Sequence, residues 1–164
     1  MRNELCCPFL YEESKKVEFE ILTDKLASQL GFCASLAKGN FKNELIFITE
    51  LVYHLNGSIR GKTSIDGSHV SFLKARYEFY EEKTKFGTKF VIPQGSSLAS
   101  SLHIARCLGK EVVRKMYQVK TEGVIVDDVL FNFTNMISNY SLMAAIYANK
   151  ISNISENEFN SRAY

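Results

Sequence analysis

Apolar side chains recur at the three- and four-residue spacing of an α-helix in five separate stretches of the chain. The predicted helices cover residues 15–37, 41–56, 68–83, 97–119 and 127–151. Only two prolines and nine glycines occur among 164 residues, too few for the many turns of an all-β protein. Helices joined by short connections pack antiparallel to one another. The sequence therefore predicts an all-α fold, a five-helix up-and-down bundle.

The length of the chain and its 46% hydrophobic content are sufficient for one packed core. We predict a single domain over residues 1–164, with a flexible arm at 1–14 and a flexible polar tail at 152–164. The net charge of +2 gives no basis for nucleic-acid binding. No stretch reaches the ~18 apolar residues of a membrane span, and the first residues are not an apolar signal segment. The expectation is a soluble cytoplasmic protein that binds no membrane.

The cysteines and histidines do not form a recognisable metal site. None of the four cysteines belongs to a C-x-x-C pair. Cys33 and Cys107 lie in apolar helical patterns, which predicts that both are small core residues. His54, His69 and His103 fall in different predicted elements without metal-binding spacing. We predict no metal ion bound by protein side chains.

The fourth predicted helix has a row of cations along one side. Arg106, Lys110 and Arg114 are four residues apart, so they lie above one another on the helix. Like charges at this spacing repel one another. A polyanion, or acidic side chains from a neighbouring helix, would relieve that repulsion. The alternative is a solvated basic face without a ligand.

The connection between the second and third predicted helices contains Gly61-Lys62-Thr63, similar to the end of a phosphate-binding P-loop. A P-loop has four residues between its glycines and follows a strand. Here three residues separate Gly57 from Gly61, and a helix precedes them. The sequence therefore favours a flexible surface loop.

Two further motifs accompany the basic helix. Residues 90–95 read F-V-I-P-Q-G, and residues 102–106 read L-H-I-A-R. Together they resemble the ATP:corrinoid adenosyltransferases of the propanediol-utilisation type, whose pattern is close to F-x-x-P-G-G followed by L-H-x-A-R-x-x-x-R-R-x-E-R. The block at residues 133–149 is similar to that family's Y-L-N-R-L-S-D-Y…R-Y-A-N. The block at residues 17–26 is a weaker match to V-E-A-Y-G-T-V-D-E-L.

The resemblance implies a reaction, an assembly and partners. The reaction is transfer of the 5′-deoxyadenosyl group from ATP, bound with Mg²⁺, to cob(I)alamin, with release of triphosphate. Cobalt(I) is itself a strong nucleophile, so the chemistry needs no activated serine or cysteine. The implied assembly is a homotrimer with active sites between subunits. A cobalt reductase or a B12-dependent enzyme is the implied protein partner.

The resemblance also assigns roles to individual residues. Arg106 would pair with Asp24 across the subunit interface and shape the nucleotide site; a purely structural salt bridge is the alternative. Lys110 takes the place of a phosphate-binding arginine of the family. Lysine keeps the charge and loses the bidentate geometry. Arg114 would bind ATP beside Lys110.

Two uncharged residues complete the implied site. Asn135 would contact the nucleotide; a simple hydrogen bond between helices is the alternative. Phe90 would cover the lower face of the corrin and exclude its axial ligand. Read without the resemblance, Phe90 is predicted to be a core residue.

The sequence departs from the family in the phosphate-binding parts. Nothing in residues 1–20 matches the Gly/Thr-rich loop T-G-D-x-G-T-T that wraps the triphosphate. Glu111 replaces the second arginine of R-R-x-E-R, and Val113 replaces its glutamate. Three hypotheses follow: an active adenosyltransferase, a non-catalytic homologue that still binds corrinoid or nucleotide, and a structural helical bundle.

Overall fold

The structure, a computed structural model, describes residues 10–87 and 90–163. Its five α-helices are α1 (Lys15–Leu36), α2 (Gly39–Ser58), α3 (Gly67–Thr84), α4 (Ser97–Thr121) and α5 (Asp128–Ile151). Within the described ranges the only β-structure is one antiparallel bridge between Val91 and Glu158. The predicted all-α, five-helix fold is confirmed. No helix in these ranges is both long and apolar enough to cross a membrane.

Side-chain caps set where three of the helices begin. The Ser14 hydroxyl accepts from Lys16 N at the start of α1, and the Ser96 hydroxyl accepts from Ala99 N at the start of α4. At α3 the Asp66 carboxylate accepts backbone N–H bonds while the His69 ring accepts from Asp66 N. These bonds satisfy amides that have no partner inside the helix. The Asp66 cap was not identified from the sequence.

Helix α4 packs against both α1 and α5, α2 packs on α1, and α3 packs on α5. The ring contact between Phe47 of α2 and Phe72 of α3 closes the bundle. Cys33 is fully buried between these helices, as predicted. Cys107 is exposed on α4, so its predicted core position is wrong. The buried side of α4 covers only part of its circumference, and Cys107 lies on the remaining part.

A close contact between α4 and α5 fixes their relative position. A Cβ atom built on Gly109 would lie 2.5 Å from Ser138 Oγ and 3.6 Å from Ser138 N, so a side chain here would displace the serine hydroxyl that packs against the glycine. Further along, Ser96 N donates to the Asn149 side chain at 2.9 Å. Position 96 pairs with 149 and position 109 with 138, so the two helices run antiparallel. The predicted close helix contact at Gly109 is confirmed.

The C-terminal tail lies against the connection between α3 and α4. Ile92 N donates to Asn157 O at 2.9 Å, and Phe159 N donates to Phe90 O at 2.8 Å. These bonds flank the Val91–Glu158 bridge. The sequence predicts a flexible tail, and in the structure that tail makes these backbone contacts. Most of the predicted arm, residues 1–9, lies outside the described residues.

A buried carboxylate joins the far side of the bundle. Glu44 of α2 accepts hydrogen bonds from the hydroxyls of Tyr80 at 2.7 Å and Tyr140 at 2.8 Å, and its second oxygen lies 2.5 Å from Arg76 Nε. Burial, followed by the charge of Glu44, raises the pKa of both tyrosine hydroxyls, which therefore stay protonated and donate. One carboxylate thus connects α2, α3 and α5.

Replacing Glu44 should cost more stability than removing one of its donors. We expect Glu44→Ala to lower the free energy of unfolding by about 3 kcal/mol, because it leaves Arg76 and a buried Tyr140 hydroxyl unpaired. Tyr140→Phe should lower it by only about 1 kcal/mol, since the acceptor keeps two partners. Urea unfolding measures both. Glu50→Ala, on the exposed side of the same helix, is the control, and an equal loss in Glu44→Ala and Glu50→Ala would contradict the expectation.

Candidate active site

Five of the six predicted site residues lie on the neighbouring helices α1, α4 and α5, and Phe90 lies in the α3–α4 connection. The α4–α5 register, in which 109 pairs with 138, puts Asn135 opposite the segment between Lys110 and Arg114. On the other side of α4, Gln29 donates to Ser101 O at 2.9 Å, and Lys115 pairs with Glu18. Asp24 is about midway between Glu18 and Gln29 on α1, and so it lies near the level of Arg106, about midway between Lys115 and Ser101 on α4.

The cations lie on the part of α4 that is next to α5. Residues three, four and seven apart share a helix side, so Arg106, Lys110 and Tyr117 form one row. The Tyr117 ring packs on Phe131 of α5 with centroids 4.6 Å apart, which identifies the helix that this row faces. Lys110 and Arg114 are exposed, and Arg106 is partly buried. Within the described ranges, no carboxylate of the chain forms an ion pair with these three cations.

Asp24 and Arg106 do not meet within one chain. Asp24 lies exposed on α1, which packs on the opposite side of α4 from Tyr117 and Arg106. Its carboxylate accepts a hydrogen bond from the Tyr53 hydroxyl of α2 at 2.9 Å. That bond raises the pKa of Tyr53, because the neighbouring negative charge disfavours the phenolate. No sequence pattern pointed to Tyr53.

Two buried polar groups on α4 have no hydrogen-bond partner in the described part of the chain. His103 is 4% exposed, and neither of its ring nitrogens has a hydrogen-bond partner among the described residues. The same holds for the buried Nε of Arg106, one turn further along α4. Burial, and then the Arg106 charge, lowers the pKa of His103 to about 4. The imidazole is therefore neutral at physiological pH.

Phe90 is not a core residue. Its side chain is 79% exposed in the middle of the α3–α4 connection, seven residues before α4 begins. The core interpretation made from the sequence alone is wrong, because the connection here pairs with the tail through its backbone and leaves the ring outside the bundle. A large apolar ring at this position is available to a flat apolar ligand.

The Gly61-Lys62-Thr63 segment does not form a phosphate cradle. Helix α2 continues through Gly57 to Ser58, and neither Gly57 nor Gly61 adopts a positive φ angle. The Thr63 hydroxyl donates to the Asp127 carboxylate at the start of α5. The connection thus ties α2 to α5, and its threonine is occupied by a protein partner.

A sequence profile described as cobalamin adenosyltransferase matches residues 11–148. The chain belongs to the cobalamin adenosyltransferase family. It is 28% identical to the corrinoid adenosyltransferase of Bacillus subtilis (strain 168) over 158 residues, which are 90% of this chain and 81% of that protein. The resemblance drawn from the 90–114 segment is therefore confirmed at the level of the family.

Solved structures of this family have the same fold. A phenylalanine-to-alanine variant of a PduO-type ATP:corrinoid adenosyltransferase from Lactobacillus reuteri, complexed with cobalamin and ATP, aligns with a TM-score of 0.84 at 24% identity, over 93% of this chain and 90% of that one. An arginine-to-lysine variant complexed with ATP aligns with a TM-score of 0.83 at 25% identity, over 92% and 90% of the two chains.

The two residues of α4 that depart from the family motif, Glu111 and Val113, lie on different sides of the helix. At about 100° per residue, Glu111 lies well around the helix from Lys110, on the side that approaches α1. The next residue on that side, Lys115, pairs with Glu18 of α1. Val113 is partly buried and packs against the core. Glu111 therefore lies away from Arg106 and Lys110 but three residues from Arg114, which makes it a neighbour of that cation on the helix surface.

The neutral buried His103 should make stability fall as pH decreases. The folded protein keeps the imidazole neutral down to about pH 4, whereas the unfolded chain binds a proton below its usual 6.5. From pH 7 to pH 5 this difference should lower the free energy of unfolding by about 2 kcal/mol more in the wild-type protein than in His103→Leu. Urea unfolding of both proteins at the two pH values measures it. Equal pH dependence would show that His103 titrates normally.

Proposed function

We propose that the protein transfers the 5′-deoxyadenosyl group from ATP to cob(I)alamin and releases triphosphate, at a site between two subunits of a homotrimer. The observation that carries this proposal is the outward-facing row of unpaired cations beside Asn135, in a member of the cobalamin adenosyltransferase family. A cytoplasmic location and a reductase that supplies cobalt(I) belong to the same proposal.

Arg106 and Asp24 support the site between subunits. The two residues lie near the same level on adjacent helices, yet α4 separates them within one chain. Each therefore presents its charge to the outside, where a second copy can supply the opposite charge. A partly buried guanidinium next to a desolvated carboxylate gives a stronger pair than one fully in water. The pairing would bring the side of α4 that carries Arg106 and Lys110 in one subunit against α1 of the next subunit.

Lys110, Arg114 and Asn135 have the chemistry that ATP requires. Two cations one turn apart can bind the triphosphate and stabilise the negative charge that develops as it leaves. The Asn135 amide offers both a donor and an acceptor to the nucleotide at the same level. Mg²⁺ would arrive with ATP, bound mainly by phosphate oxygens. These residues position the ribose; none acts as a nucleophile.

The exposed ring of Phe90 fits the second substrate. In the reaction the cobalt(I) electron pair forms a bond to C5′ of the ribose, the C5′–O bond breaks, and its electrons leave on the triphosphate. A hydrophobic side chain below the corrin would exclude the axial ligand and leave the opposite face open for this in-line displacement. Phe90 provides an apolar surface of that kind and is not needed for the core.

A non-catalytic homologue is the second candidate, and the missing N-terminal Gly/Thr-rich loop favours it. Each charged hydrogen bond to phosphate is worth about 1.5–3 kcal/mol, so the loss of that loop weakens ATP binding unless other residues compensate. In that case the protein would bind corrinoid or nucleotide without turnover. The assay below separates the two.

Turnover should depend on Lys110. Reduced cob(I)alamin, ATP and Mg²⁺ are mixed anaerobically with the protein, and loss of the cobalt(I) spectrum is followed, with light sensitivity of the product as the check for a cobalt–carbon bond. We expect Lys110→Ala to lower kcat/KM by about 10- to 100-fold through loss of one charged phosphate contact. Lys74→Ala, on the exposed side of α3, is the control. No turnover by the wild-type trimer would support the non-catalytic homologue.

The proposed pair between subunits can be tested by charge reversal. Size-exclusion chromatography with light scattering should give three times the 18.6 kDa chain mass for the wild-type protein. Asp24→Arg and Arg106→Asp should each shift the protein toward monomer, because like charges would then face each other across the interface. The double variant should restore the trimer. A double variant no better than either single one would show that the two residues do not pair.

A further inference from the structure

We propose that Asn149 and the C-terminal tail position Phe90 for the reaction. Asn149 is a positioning residue here: it touches neither substrate and acts through the backbone that carries Phe90. The inference rests on the proposed function, in which Phe90 faces the corrin, and it says what holds Phe90 in its orientation.

The side chain of Phe90 cannot orient itself by packing. It is 79% exposed, and in the described part of the chain no aromatic partner lies against its ring. An exposed side chain takes its direction from its backbone, and an unsupported loop would let that direction vary. Whatever holds residues 90–96 therefore decides where the ring points.

The Asn149 side-chain amide binds this segment by hydrogen bonds from both its nitrogen and its oxygen. It lies fully buried in the last turn of α5. Its Nδ2 donates to Gln94 O at 2.9 Å and to Glu156 Oε1 at 2.8 Å, while its Oδ1 accepts from Ser96 N at 2.9 Å. One side chain thereby joins the end of the α3–α4 connection, the first residues of α4 and the tail.

Gly95 allows this arrangement. Its φ of +124° lies in a region that residues with a side chain rarely adopt. A methyl group at this position would also overlap the Asn149 amide. The glycine of the F-V-I-P-Q-G motif is thus required by the approach of the backbone to Asn149.

The tail holds the other end of the segment. Val91 and Glu158 face each other in an antiparallel bridge, flanked by the bonds from Ile92 N to Asn157 O and from Phe159 N to Phe90 O. The carbonyl of Phe90 is therefore itself bound. Asn149 holds the chain four to six residues after Phe90, and the tail holds it at Phe90 itself.

A structural role alone would give a different result from a positioning role. If Asn149 only stabilised the end of α5, its loss would lower stability and leave the surviving folded protein fully active. If it positions Phe90, its loss changes the motion of position 90 and lowers kcat, while ATP binding, more than two helical turns away along α4, is retained.

The first experiment needs no substrate. The chain contains no tryptophan, so Phe90→Trp introduces a single emitting indole at the position in question. We expect the amplitude of its nanosecond reorientation, from time-resolved anisotropy, to rise in Asn149→Ala and in a chain that ends at residue 154. Asn160→Ala, an exposed change within the tail, is the matched control. An indole that moves equally in all these proteins overturns the inference.

The second experiment uses Asn149→Ala with Phe90 intact. We expect kcat to fall by about 10- to 100-fold, the size expected for a misplaced reacting group, while KM for ATP stays unchanged. We also expect the variant to lose the electron paramagnetic resonance signal of cob(II)alamin that lacks its axial ligand. Wild-type kcat and signal in Asn149→Ala would overturn the inference. An inactive wild-type protein would instead overturn the proposed function, and the indole measurement would then decide the positioning role alone.

Discussion

The contact between α4 and α5 is the constraint on which the rest of the molecule depends. Gly109 brings the two backbones close enough that Ser138 lies where a side chain would otherwise be. With the two helices in this register, Asn135 comes level with the α4 cations, and Asn149 reaches the residues that precede α4. A one-turn slip would move each partner by about 5.4 Å and break both relationships together.

The polar groups on the α2–α3 side and on the α4 side of the bundle differ in their hydrogen-bond partners. On the α2–α3 side, the Glu44 carboxylate is fully satisfied by two tyrosine hydroxyls and Arg76. On the α4 side, the buried ring of His103 and the buried Nε of Arg106 have no hydrogen-bond partner within residues 10–87 and 90–163. Unpaired buried polar groups cost stability. A ligand or a second subunit that covers this part of α4 would be placed to supply the missing partners, and Arg106 belongs to the proposed site.

The helices could be predicted from the sequence, because periodicity is a local property. Their packing order was not predicted, since α1 packs on α4 and α3 packs on α5 although neither pair is consecutive in the chain. The contact at Gly109 was also predictable, since a glycine within a helix needs a reason. Other features depend on residues far apart in the chain. The bond from Tyr53 to Asp24 spans two helices, and the exposed Phe90 has its backbone bound by the distant tail. Cys107 was placed wrongly because an apolar pattern does not show how much of the circumference of α4 is covered.

The replacement of the family glutamate by Val113 changes the electrostatics around Lys110. A carboxylate at position 113 would lie one turn from Lys110 and could form an i,i+3 ion pair with it. Valine removes that partner and instead packs against the core. Lys110 is left with its full charge directed to solvent, so its attraction for a triphosphate is larger than it would be beside a glutamate. In the proposed function this stronger attraction gives the α4 cations a larger share of the phosphate binding.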